Sequence, residues 1–129
     1  MSKSALILVV DDSPDHVDIL SQMLRSAGYQ VAASRSPEAA LRRARALKPN
    51  LIITDLAMPE VNGVDLIEQI RNEPTLKDTP VIVVTAHVWD HLAQAAGKVG
   101  ADAFISKPWI RSELIAEVQK QLAGRQKDE

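Results

Sequence analysis

Apolar residues follow two alternating rhythms along this chain. Residues 5–10 (ALILVV), 51–54 (LIIT) and 81–84 (VIVV) are unbroken aliphatic runs, and residues 29–33 and 103–105 form shorter ones. A strand with every residue apolar is buried on both faces, as in a parallel sheet covered by helices. Between the runs, apolar positions recur every three or four residues: Val17, Leu20, Leu24 and Ala27, then Leu41, Ala44 and Leu47, then Val64, Ile67 and Ile70. Val88, Leu92, Ala95 and Val99 continue the pattern, and Leu114, Ile115, Val118 and Leu122 complete it. This is the stripe of an amphipathic helix. Ser13-Pro14 and Ser36-Pro37 supply a cap and a first-turn proline, while Gly28, Lys48-Pro49-Asn50, Glu73-Pro74 and Gly100 mark helix ends. Strict strand–helix alternation predicts an α/β three-layer sandwich with a five-stranded parallel sheet. One domain over residues 1–123 and a polar tail over 124–129 are expected.

Composition narrows the functional classes. A chain of 129 residues with 46% hydrophobic content can bury one core. Seventeen acids against fifteen Lys and Arg give a net charge of -2 with no basic block, which argues against direct nucleic-acid binding. The absence of cysteine excludes disulfides and thiolate metal sites. The run at residues 5–10 is too short to span a bilayer and is followed by acids, so no membrane association and a cytoplasmic location are expected.

Chemistry gathers just past the strands. Asp11 and Asp12 follow the first, Asp55 the third, Thr85 the fourth and Lys107 the fifth. In open α/β sheets ligands bind outside these strand ends. Two like charges roughly 4 Å apart repel by about 4 kcal/mol at an effective dielectric of about 20, so three carboxylates require positive charge among them. Lys107 alone is insufficient, and an oxygen-only cluster suits Mg²⁺. A cation, an ammonium and a hydroxyl together fit a phosphoryl group, with the remaining carboxylate as its acceptor. Each residue also has a plainer reading. Asp12 could cap the first helix, Asp11 and Asp55 could be turn residues, and Thr85 could cap the helix after it. His16, His87 and His91 lack paired metal-ligand spacing and are expected to be solvent-exposed; the Arg42, Arg43 and Arg45 cluster reads as a solvated helix face. Trp89 falls off the stripe of its helix, on the side of Ala93 and Ala96, as an exposed anchor would.

In their order and spacing, LILVVDD from Leu6, LIITDLAMPEVNG from Leu51, VIVVTA from Val81 and GADAFISKPW from Gly100 resemble a response-regulator receiver domain, the phosphoacceptor module of two-component signalling. The resemblance implies a flavodoxin-like fold with strand order 2-1-3-4-5. It implies that Asp55 accepts a phosphoryl group from a phosphohistidine on a histidine kinase or histidine phosphotransfer protein. Mg²⁺, with Mn²⁺ as a substitute, would be held by Asp12, Asp55 and the backbone carbonyl of Ala57, with Asp11 acting through water or as a weaker ligand. Lys107 and Thr85 would meet phosphoryl oxygens, Phe104 would turn inward as a switch aromatic, and Lys107-Pro108 would be a cis peptide. Ala57 and His87 occupy the positions that tune the lifetime of the acyl phosphate. The changed surface, around the fourth helix, fifth strand and fifth helix with Trp89, Phe104 and Trp109, would bind a downstream protein, either as a monomer or as a phosphorylation-linked dimer. No turnover of small substrates is expected. The alternatives are a receiver-like docking module that is never phosphorylated and, more remotely, an aspartate-nucleophile phosphatase, whose second acid is replaced here by Ala57.

Overall fold

Five strands alternate with five helices in the computed structural model, which describes residues 5–56, 63–86 and 91–127, with backbone only for Leu92 and residues 125–127. In chain order these are β1 (Leu6–Val10), α1 (Pro14–Ser26), β2 (Gln30–Ser34), α2 (Pro37–Leu47), β3 (Leu51–Thr54) and α3 (Gly63–Asn72). They continue as β4 (Val81–Thr85), α4 (His91–Val99), β5 (Ala103–Ser106) and α5 (Arg111–Lys127). The strands form one parallel sheet in the order β2-β1-β3-β4-β5. The direction of winding reverses between β1 and β3, which opens a crevice at their C-terminal ends.

Strand alternation divides the core into two layers. Ile7, Val9, Leu51, Ile53, Ile82 and Val84 face α1 and α5, meeting Leu20, Leu24, Leu114 and Val118. Leu8, Val10, Ile52, Val81 and Val83 face the opposite way, towards Ala40, Ala44, Leu66, Ile67 and Ile70 of α2 and α3. Burial of each such Leu, Ile or Val side chain contributes about 1.5–3 kcal/mol. Ser13 caps α1, its Oγ accepting from His16 N at 3.3 Å. Ser36 caps α2 in the same way, accepting from Ala39 N at 3.2 Å.

Two helices depart from expectation. Among the described side chains of α4 the buried ones are Ala93 and Ala96, with Val99 half-buried, whereas Ala95 of the expected stripe is only partly covered. Two methyl side chains let the helix backbone approach its neighbours closely, so the small face goes inward. The side of α4 expected to present Ala93 and Ala96 to solvent is therefore the packed side; Val88 and Trp89 lie outside the described residues. The last helix runs to Lys127, through most of the segment expected to be a tail.

Arg71, near the end of α3, fastens the N-terminal ends of β4 and β5. Its Nε and Nη2 donate to Gly100 O at 3.2 and 2.8 Å, and its Nη1 donates to Thr79 O at 2.7 Å and Lys77 O at 3.1 Å. Nη2 also donates to Asp102 Oδ2 at 2.8 Å, an oxygen that accepts from Val81 N as well. Gly100 has φ 116°, and a Cβ there would sit 2.8 Å from Arg71 Nε, so both backbone and space require glycine.

Candidate functional site

The parallel ladder continues one residue past three strands, and those residues carry the chemistry. Asp11 N donates to Ser34 O at 3.2 Å, Asp55 N to Val10 O at 3.0 Å and Lys107 N to Thr85 O at 2.9 Å. Each backbone is thus fixed by the last carbonyl of a neighbouring strand before its side chain does anything.

Lys107 Nζ lies 3.1 Å from Asp11 Oδ2 and 3.3 Å from Asp55 Oδ2. The three side chains are 13%, 3% and 10% exposed, so the charges are largely withdrawn from water and screened little by salt. The other carboxylate oxygens are spoken for locally: Ser13 N donates to Asp11 Oδ1 at 3.0 Å and Leu56 N to Asp55 Oδ1 at 2.7 Å. Asp12, half-buried, completes an acidic cluster in which one oxygen from each of Asp11, Asp12 and Asp55 lies within 4.8 Å of the others. With Ser13 as the helix cap, the capping reading of Asp12 falls away. Thr85 is buried at the end of β4, in register with Ser106 and so beside Lys107. The Lys107–Pro108 peptide bond is cis.

Three carboxylates against one ammonium leave net negative charge, and every ligand of the acidic cluster is a hard oxygen. That donor set fits Mg²⁺ and gives no reason to favour a softer metal. Asp11, Asp12 and Asp55 are the residues that would hold it.

Two residues shape the site in ways their sequence context does not announce. His16, expected to be solvent-exposed, is 40% exposed, and its Nδ1 lies 3.1 Å from Lys107 Nζ and 3.3 Å from Asp11 Oδ2. It stands in the first turn of α1, where the side chain can reach the site at the end of β1; that position is the signal that could have marked it. Gly63 opens α3 with its N–H donating to Leu56 O at 2.9 Å. A Cβ there would collide with Asp55 O and lie 3.0 Å from Leu56 Cα. That same carbonyl accepts from Thr54 Oγ1 at 2.8 Å, so both neighbours constrain the backbone of Asp55.

The aromatic residues separate. Phe104, on β5, is 37% exposed and faces Gly97 of α4. Trp109 instead turns to α1: its indole meets the His16 ring edge-on, with centroids 5.6 Å apart, and Nε1 donates to Met23 Sδ at 3.2 Å. The indole therefore does not share a face with α4, contrary to the expected grouping, because the core between α1 and α5 draws it in. Ile19, Met23, Ala86 and Trp109, with His16 and Lys107, line an open groove of about 520 Å³. Ala57, His87 and Trp89 lie outside the described residues.

A parallel sheet with acids at the ends of β1 and β3, a hydroxyl at β4 and a lysine at β5 is the arrangement expected of a receiver domain. The family model of the response regulator receiver domain matches residues 7–119, and the chain belongs to that family. Among curated relatives, it is 32% identical to the polar-differentiation response regulator DivK of Brucella ovis, covering 95% of this chain and 98% of that one. It is 35% identical to the DNA-binding response regulator MtrA of Mycolicibacterium smegmatis, over 95% of this chain but only 52% of the relative, so it spans about half of that longer protein. Among solved structures, the chemotaxis protein CheY4 of Vibrio cholerae superposes with a TM-score of 0.87 at 29% identity, over 92% of this chain and 98% of that one. The receiver domain of the sensor histidine kinase PA1611 of Pseudomonas aeruginosa, solved with a magnesium ion in its active-site cleft, superposes with a TM-score of 0.88 at 26% identity, over 94% and 99% of the two chains. Receiver domains are signalling switches that take phosphoryl groups from histidine kinases and act on downstream targets. Among the described residues no helix is long and apolar enough to cross a membrane.

Proposed function

We propose that this chain is a phosphoacceptor switch in which Asp55 receives a phosphoryl group from a phosphohistidine of a histidine kinase or phosphotransfer protein. The observation that carries this reading is Lys107 Nζ shared between Asp11 and Asp55 beside a third acid, Asp12. An Asp55 carboxylate oxygen forms the new bond to phosphorus as the phosphorus–nitrogen bond of the donor breaks, and the electron pair leaves with the donor's imidazole. Lys107 exchanges its contact with the Asp55 carboxylate for a phosphoryl oxygen, and Thr85 donates its hydroxyl to another. Asp11, Asp12, Asp55 and the Ala57 carbonyl would hold Mg²⁺, which would supply positive charge to offset that of the phosphoryl oxygens; Mn²⁺ has the same preference for oxygen. Asp11 and Asp12 supply the carboxylates that bring this positive charge beside the acceptor.

The output is a change of surface. As Thr85 moves toward the phosphoryl group, Phe104 leaves its half-exposed place against Gly97 and turns inward, altering the face of α4 and β5 that a protein partner reads. Ala57 and His87 set the lifetime of the acyl phosphate. The test is intact mass spectrometry after incubation with Mg²⁺ and acetyl phosphate, followed by a phosphohistidine donor. Wild type is expected to gain one phosphoryl group and Asp55→Asn none; a wild type that stays unmodified with both donors overturns the proposal in favour of a docking module.

A further inference from the structure

We propose that His16 is a positioning residue for Lys107, its Nδ1 accepting one ammonium hydrogen and so fixing the lysine beside the phosphoacceptor. This inference rests on the role given to Asp55 above.

An ammonium has three hydrogens to donate and no lone pair. Around Lys107 Nζ stand three acceptors: Asp11 Oδ2 at 3.1 Å, His16 Nδ1 at 3.1 Å and Asp55 Oδ2 at 3.3 Å. Because Nζ presents only hydrogens, the ring nitrogen facing it carries the lone pair, and the imidazole proton sits on Nε2. The 3.3 Å approach of Nδ1 to Asp11 Oδ2 is then two acceptors gathered round one shared donor, not an ion pair. A proton on Nδ1 would make a bond to Asp11 at the cost of turning N–H against an ammonium 3.1 Å away.

Backbone and ring of His16 are each held. The backbone N–H donates to the cap hydroxyl of Ser13, and the ring plane meets the Trp109 indole at 82°. Trp109, fixed in turn by Met23 Sδ, lies two residues after Lys107, so one loop supplies both the lysine and the surface that steadies the lysine's ligand. Of the three acceptors, Asp55 is the one whose charge distribution changes on phosphorylation. His16 offers Lys107 a partner that does not change, which shortens the search of a long, flexible side chain for the incoming phosphoryl oxygen.

Two measurements test this. In isotope-labelled, Mg²⁺-free wild type on the alkaline side of neutrality, ring ¹⁵N resonances are expected to show His16 unprotonated at Nδ1; a proton on Nδ1 overturns the proposal. In time courses of phosphorylation by acetyl phosphate, His16→Leu should slow uptake roughly tenfold, the lower end of what one hydrogen bond to a charged group is worth. His16→Asn, whose Oδ1 occupies the Nδ1 position, should restore the rate, and His16→Gln, which places its oxygen further out, should not. Unchanged uptake in His16→Leu, or equal rescue by Gln and Asn, rejects the positioning role, whereas loss of folding would slow all three variants alike. A wild type that takes no phosphoryl group would instead defeat the proposed function, and the ¹⁵N measurement would still decide the contact.

Discussion

At the N-terminal ends of β4 and β5, Arg71 places all five of its N–H groups on acceptors: four bonds go to the carbonyls of Gly100, Thr79 and Lys77 and one to Asp102. At the opposite ends of the same strands, Lys107 is divided between two carboxylates while Asp12 forms no ion pair with a described residue. One corner is a matched set of donors and acceptors with one acid to one cation. The other carries three acids to one cation. The matched corner has every Arg71 donor satisfied and serves to fix the strands; the unmatched one keeps a deficit of positive charge that a cation can relieve. Perturbing the two should therefore act in different directions.

The largest effect is expected at the matched corner. Arg71→Met leaves several part-buried carbonyls and Asp102 without their donor and should cost about 3 kcal/mol in urea unfolding, while the folded fraction still takes up one phosphoryl group. Next, Gly63→Ala forces α3 away from the Asp55 carbonyl; a loss of about 2 kcal/mol in the same assay, together with slower phosphorylation, distinguishes it from Arg71→Met. Mg²⁺ comes third. At ten times its dissociation constant it should stabilise wild type by about 1.4 kcal/mol in thermal melts, and this gain should be lost in Asp12→Asn. The smallest effect has the opposite sign. In Mg²⁺-free, low-salt buffer Asp12→Asn should gain about 1 kcal/mol over wild type, a difference that shrinks as salt screens the repulsion. A destabilised Asp12→Asn protein would show that the deficit of positive charge is not as drawn.

How much of this was legible in the chain depends on the range of the interaction. Asp11, Asp12, Asp55, Thr85 and Lys107 could be read because each ends an aliphatic run, and a parallel sheet brings all such ends to one edge. The backbone ladder does the rest, since Asp11 and Asp55 continue it by one residue. His16 could not be read in the same way. Its neighbours mark only the first turn of an amphipathic helix, and what decides its role is a lysine 91 residues away. Arg71 is equally silent, because its partners lie on the approach to β4 and beyond α4. In α4 the expected stripe did not include Ala93 and Ala96, because methyl side chains give a weak periodic signal, yet both are buried against the core together with Val99. The contact of Trp109 with α1 was not legible either, because its position next to β5 in the sequence does not reveal that its indole packs against His16 and Met23.

The contact between Asp11 and Lys107 joins residues 96 positions apart in a chain of 129. During synthesis the acids of β1 and β3 exist long before the lysine that balances two of them, and loops of that span close late in folding. A chain stalled before β5 can have most of its sheet and still lack Lys107, so the acidic cluster acquires its cation only with the last strand.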